Sequence, residues 1–182
     1  AIQLDKYLDT LDKQLTKTLG VWSDNYREQL SEIFADCYEF EKQSLVKAYE
    51  VPATAIATPS NLAALSYVAM AKPLPLAGNT GIPLDDLIKD LNNNEVKRIK
   101  QAVRMGHFEG KTNQQLVQQI RGTRANKFKD GILQTTTRNA EAIVRTGVQQ
   151  VANDARLEIA KQNSDIVIGE QIVATLDSKV SV

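Results

Sequence analysis

A mostly α-helical chain is what the sequence predicts, with a helical hairpin at the N-terminus and then an α+β unit holding a long helix and a small β-hairpin or sheet. Three observations predict it. Leu4, Leu8, Leu11, Leu15 and Leu19 are spaced four, three, four and four, which lays one apolar stripe along a helix. Further on, Ala140, Val144, Gly147 or Val148, Val151, Ala155 and Ile159 recur every three or four residues, a thin stripe of small side chains that lets a neighbour approach closely. After Asn163 the period changes, and Ile166, Ile168, Ile172 and Ala174 alternate loosely around Gly169-Glu170, a pattern rich in β-branched residues. Composition agrees: 42% of residues are hydrophobic but only 5% aromatic, which suits helices better than a sandwich or barrel.

Taken in order, the leucine helix ends at Gly20. A second stripe, Trp22, Tyr26, Leu30, Ile33, Phe34, Cys37, Leu45 and Tyr49, runs to Pro52. Two antiparallel helices turning near Gly20 would bury both stripes against each other. A Pro-, Ala- and Thr-rich loop spans 51–59, and Ser60 is placed to cap a short apolar helix over 61–71. Residues 72–83, KPLPLAGNTGIP, read as loop or linker because proline and glycine punctuate them. Leu74, Leu76 and Ile82 make that loop unusually apolar, so it reads either as a docking segment covered by another subunit or as a loop lying over its own core.

Pro83, Asp85 and Asp86 suit a first helical turn. Asn92-Asn93-Asn94 is expected to interrupt that helix, and a second one, carrying Val96, Ile99, Val103 and Met105 or Phe108, ends at Gly106 and Gly110. Thr112 to Gln115 is a capping-box arrangement that starts a short helix through Leu116 and Ile120, closed by Gly122. The polar, basic residues 123–131 lead into the long helix.

Net charge is zero, yet it is unevenly placed: residues 1–90 hold 8 Lys/Arg and 13 Asp/Glu, leaving 14 and 9 for residues 91–182. The excess lies in Lys97, Arg98, Lys100, Arg104, Lys111, Arg121, Arg124, Lys127 and Lys129, among which Glu109 is the single acid. Such a stretch can meet DNA phosphates or an acidic protein surface, or simply form a solvated helix face. Only Phe108 and Phe128 interleave it, which does not make a stacking platform for single strands.

Little points to catalysis. His107 is the single histidine and Cys37 the single cysteine, so a nucleophile–histidine pair or a zinc site lacks partners, and no disulfide can close within the chain. Cys37 sits among Ile33, Phe34 and Phe40 as a core thiol. No phosphate-cradling or dinucleotide glycine motif occurs, and Asp85-Asp86 and Asp154 with Glu158 are ordinary solvated pairs. The expectation is a chain that is not an enzyme and takes no cofactor or metal. No apolar run approaches the roughly 18 residues that cross a bilayer, and no signal peptide is visible, so the chain reads as soluble and made in the cytoplasm.

The last 75 or so residues carry a resemblance. Ala142-Ile143-Val144-Arg145-Thr146, then Asn153-Asp154-Ala155-Arg156, then Ala174-Thr175-Leu176-Asp177-Ser178, preceded by Gly110-Lys111-Thr112 with Leu116 and Ile120, resemble the phage head morphogenesis family, also called minor head or MuF-type proteins. Two departures stand out: Gly147 occupies a position where that family commonly has an acid, and relatives usually continue past the aspartate into a Cys- and Gly-containing turn. The residue patterns divide the chain into an N-terminal helical region over 1–72 and a linker over 73–83, and the resemblance implies a head-morphogenesis-like α+β domain over 84–182 that is cut short at its end. It further implies a structural minor head protein of a tailed bacteriophage, present in several copies in the head interior or at the portal vertex. Its partners would be the portal protein and other head or neck proteins, possible double-stranded DNA, and no membrane. Its work would lie in head assembly or in DNA packaging, retention or ejection. Arg145, Thr146, Asn153, Arg156, Asp177 and Ser178 are the motif positions. The alternative is a DNA-binding internal protein, a pilot ejected with the genome.

Overall fold

The computed structural model describes residues 2–74 and 81–169, which are mostly α-helical with one small antiparallel strand pair. The longest described element is α1 (Ile2–Tyr49), a helix of 48 residues and, at 1.5 Å per residue, about 72 Å long. The turn expected at Gly20 does not occur, so there is no N-terminal helical hairpin. A helical glycine costs only about 1 kcal/mol, and no proline or polar turn cluster reinforces it. The helix is packed on either side of Gly20: Leu8 is buried before it, and Tyr26, Leu30, Phe34 and Tyr38 recur every fourth residue after it at 5% exposure or less.

The chain then makes a 3₁₀ turn at Ala53–Ala55 and enters α2 (Leu62–Ala71). Asn61, not Ser60, caps α2, its Oδ1 accepting from the Ala64 amide at 2.9 Å. The stretch expected to be an irregular linker contains β1 (Pro73–Leu74) and β2 (Ile82–Pro83), paired antiparallel with Leu74 opposite Ile82. Among the described residues this is the one strand pair, and it precedes the long helix α5. Gly81, at φ +73°, lies close enough to Pro73 and Leu74 that only a residue without Cβ fits.

One helix, α3 (Leu84–Phe108), replaces the two expected on either side of the asparagines. Asparagine disfavours helix because its amide competes for nearby backbone groups. Here Asn92 Nδ2 is engaged elsewhere, donating to Ser23 Oγ on α1 at 2.7 Å, so the helix continues. A glycine turn at Gly110 leads to α4 (Asn113–Arg121), which starts with the predicted capping box: Thr112 Oγ1 accepts from the Gln115 amide and the Gln115 side chain accepts from the Thr112 amide. Gly122, at φ +90°, ends it. The long helix α5 (Ile132–Gln162) buries Gly147, Val151, Ala155 and Ile159, the predicted small-residue stripe. Residues 163–169 form a turn and coil, not the start of a strand; the remainder of that expected segment lies outside the described residues.

The main core joins Tyr26, Leu30, Phe34 and Tyr38 of α1 to Met70 of α2, Leu74 of β1, Leu84 and Ile88 of α3, and Val151, Ala155 and Ile159 of α5. Residues on both sides of 73–83 therefore share one apolar interior. Polar side chains fasten its edges. Asn163, 1% exposed, accepts from the Ala57 amide at 2.7 Å and donates to the Ala57 and Ile159 carbonyls, tying the end of α5 to the loop before α2. Gln150 Nε2 donates to the Ala69 and Lys72 carbonyls at the end of α2.

The helices α1 and α5 pack tightly against each other at Gly147. Tyr26, stacked on Trp22 with ring centroids 5.5 Å apart, lies across α5 and donates its hydroxyl to the Ile143 carbonyl at 3.0 Å, with the Val144 carbonyl at 3.2 Å. Gly147 makes this possible: a Cβ there would overlap the Tyr26 hydroxyl oxygen and lie 2.9 Å from Leu84 Cδ2. An acidic side chain at this position would have no room beneath Tyr26. Burial pushes the Tyr26 and Tyr38 phenols up to about 12, consistent with rings held away from water.

Candidate functional site

The basic stretch 97–129 is divided by the fold into cations bound internally and cations left exposed. Arg98 turns inward. Glu95, only 2% exposed, pairs with the Arg98 guanidinium and accepts from Thr136 Oγ1 at 2.6 Å, while Arg98 Nη2 also donates to the Ile132 carbonyl at 3.1 Å. Asn139 Nδ2 donates to the other Glu95 oxygen at 3.4 Å. This buried cluster locks α3 to the first turns of α5, since leaving either charge unpaired there would be costly. Lys100 Nζ reaches across to Asp12 on α1 at 2.9 Å, and Lys111 Nζ contacts Glu109 at 2.7 Å and Gln119 at 3.1 Å. Arg98, Lys100 and Lys111 thus have acids of their own chain.

Lys97, Arg104, Arg121, Arg124, Lys127 and Lys129 are exposed. Four of these are at the α4–α5 connection, whose shape is set by one carboxylate. Asp130 Oδ1 accepts from the Thr123 amide at 2.7 Å, and its Oδ2 accepts from Thr123 Oγ1 at 2.7 Å and Asn126 Nδ2 at 2.9 Å. Bonds from Asn126 and Thr123 favour the ionised form and hold the Asp130 carboxyl down to about 2. Glycines at the two ends allow the loop to close, because a Cβ on Gly131 would collide with the backbone of Arg121 and Gly122. Lys127 and Phe128 adopt positive φ, and the Arg121 guanidinium sits 4.5 Å over the Phe128 ring. The outcome is an exposed, pinned loop that displays Arg124, Lys127 and Lys129.

A second basic surface is concave. Lys97, Lys100 and Arg104 line a groove of about 710 Å³ between α1 and α3. A third surface is apolar: Leu19 and Trp22 of α1, Leu91 of α3, and Leu133, Ala140 and Val144 of α5 line a groove of about 800 Å³ with Arg145 at its edge.

The motif positions among the described residues do not converge on one point. Arg145 is exposed beside the apolar groove. Thr146 donates back to the Ala142 carbonyl at 2.9 Å and, with Asn153, lines a shallow cleft between α5 and β1. Arg156 is spent on the fold, contacting Glu41 of α1 at 3.0 Å. Asp177 and Ser178 lie outside the described residues. Of the docking positions, Leu74 is 8% exposed and belongs to the main core, Ile82 is half-buried, and Leu76 lies outside the described residues. Leu74 therefore serves its own core and is not free to dock a partner.

Sequence reading missed the Glu95 cluster, because a glutamate beside three asparagines looks solvated until α5 is packed over it. It missed the Asp130 latch too, although an aspartate seven residues after Thr123 in a glycine-bounded loop was a readable signal. Among the described residues, no group of His, Cys, Asp and Glu is placed to hold a metal, and no helix is long and apolar enough to cross a membrane. The chain matches no protein-family model, and neither a curated protein nor a solved structure shows significant similarity to it.

Proposed function

We propose that this chain is a structural, non-catalytic minor head protein of a tailed bacteriophage, associated with the portal and acting in head assembly or in DNA packaging, retention or ejection. Two things support the reading: the resemblance of the α4–α5 residues to head morphogenesis proteins, and the sorting of the basic stretch. The sorting is the observation that carries a binding role. Once Arg98, Lys100 and Lys111 are satisfied internally, six cations stay exposed on α3 and the α4–α5 loop, on a helical scaffold that needs none of them for its core. A protein that works by contact with polyanionic or acidic partners uses such a surface to steer and orient the encounter. The test is co-purification with a portal ring: retention at low and moderate salt is expected, and failure at both would end the reading.

The second reading, a DNA-binding internal protein delivered with the genome, is favoured by one feature, the exposed loop carrying Arg124, Lys127 and Lys129. Such a loop can meet duplex phosphates without entering a groove. It predicts duplex binding that weakens steeply with salt as counterions are released. A salt-insensitive complex, or none, would rule it out.

A further inference from the structure

The concave basic surface differs in kind from the exposed loop. Along α3, Lys97, Lys100 and Arg104 fall at intervals of three and four residues, so they share one face over about 10 Å of helix. They line a groove whose opposite wall is α1, with Val96, 9% exposed, and Met105, 50% exposed, as its apolar parts. Asp12 supplies the one carboxylate in the lining and already occupies Lys100 at 2.9 Å. Three cations against one acid leave a net positive trough with Met105 as its main exposed apolar residue, among the polar side chains of Thr16, Asn93 and Gln101.

A duplex is a convex rod that cannot settle between two packed helices, and its phosphates have no use for Val96 or Met105. A peptide bearing both carboxylates and an apolar side chain matches all of these features. Asp12 shows the chemistry in miniature, a carboxylate from a neighbouring helix seated on Lys100. We propose that this groove binds an acidic, partly apolar peptide segment of a protein partner, its carboxylates meeting Lys97 and Arg104 on either side of the Lys100–Asp12 pair and an apolar residue lying over Val96 and Met105. This assignment rests on the proposal that the chain works by binding a protein. Its test uses no portal, so a failed portal co-purification and a failed peptide titration remain separate results.

The probe is a fluorescein-labelled amphipathic peptide of glutamate and leucine, titrated with the full chain and followed by anisotropy, with a glutamate–serine peptide and a duplex oligonucleotide as comparators. Saturable binding that weakens with salt is expected. The double variant Lys97→Glu, Arg104→Glu should weaken it by about tenfold or more, since it places like charge in the trough. Asp12→Asn should tighten it by about threefold, because it removes the competing carboxylate at the scale of an exposed ion pair. Lys127→Glu with Lys129→Glu, on the exposed loop, should change it less than about twofold, and thermal melts identify any variant that fails to fold. Equal losses from the groove and loop variants would mean diffuse attraction and overturn the proposal. It would equally fall if the serine peptide bound as well as the leucine peptide, if Asp12→Asn weakened binding, or if the duplex displaced the peptide through the groove residues.

Discussion

Replacing Gly147 by alanine gives a test with a sign that helix propensity alone gets wrong. In a helix interior, glycine to alanine ordinarily gains about 1 kcal/mol. At Gly147 the new Cβ would overlap the Tyr26 hydroxyl and lie 2.9 Å from Leu84 Cδ2 and 3.1 Å from Tyr26 Cζ. Relieving that overlap means moving the Tyr26 ring or separating α1 from α5, an overpacking cost of about 1–3 kcal/mol. Movement also breaks the hydroxyl bonds to the Ile143 and Val144 carbonyls, worth about 1 kcal/mol more. The balance is a net loss of about 1–3 kcal/mol, which for a chain of this size lowers Tm by about 2–12 °C. Gly20 is the internal control: it too lies inside a helix, but nothing is within 4 Å of a Cβ built on it. Gly20→Ala should raise Tm by about 2–4 °C. Tyr26→Phe should destabilise the natural chain by about 1 kcal/mol, and should cost less, or even restore stability, on top of Gly147→Ala, because it removes the clashing oxygen. Melting followed by helical circular dichroism measures all four. A Gly147→Ala protein as stable as the natural chain would refute the close packing of Tyr26 on α5.

Three further outcomes follow from other parts of the structure. Arg98→Met should cost about 2–3 kcal/mol by stranding Glu95, without altering the salt slope of any polyanion binding, whereas Lys127→Ala should leave stability within about 0.5 kcal/mol; if duplex DNA is bound through the loop, Lys127→Ala should reduce that slope by about 0.9 per phosphate lost. Denaturant melts and salt titrations separate the two. Because the folded Asp130 carboxyl is held near 2, below its usual 3.8, the loop ties are fully present above about pH 4 and are lost as pH falls from there through about 2. Asp130→Asn should loosen the loop at neutral pH, and faster tryptic cleavage at Arg124 and Lys127 would register it. Asn163→Ala should cost about 2–3 kcal/mol, since it leaves the Ala57 amide without its acceptor and frees the end of α5; unchanged amide-exchange protection at Ala57 would contradict this.

Much of the fold was legible in the sequence. The long helix over 132–162 and its buried face were readable because small and branched apolar residues keep the helical period there, and the Thr112–Gln115 box was readable because capping is a local interaction. The errors share one cause. Gly20 and Asn92 to Asn94 are weak breakers, costing about 1 kcal/mol or less each in a helix. Such costs are overridden when a neighbouring helix supplies packing or, as Ser23 does for Asn92, a hydrogen-bond partner. The strand pair within 73–83 was missed for a similar reason, since Leu74 joins it by packing into a core built from distant segments. Of the candidate site, residue types and the excess of positive charge were visible, but which cations are exposed was not.

By itself, then, the sequence determined the helical class, the apolar stripes, the caps and the uneven placement of charge, all of which depend on residues within a few positions of one another. Only the tertiary structure decided that α1 is unbroken, that Gly147 is a seat for Tyr26, and that Arg98 faces inward while Lys97 and Arg104 line a groove. The seat at Gly147 and the inward turn of Arg98 depend on partners tens of residues away, Tyr26 and Thr136, as the pairing of Lys100 depends on Asp12. A charge is committed or free according to whether a packed neighbour brings an acid within hydrogen-bond reach, and that is a property of the assembled helices.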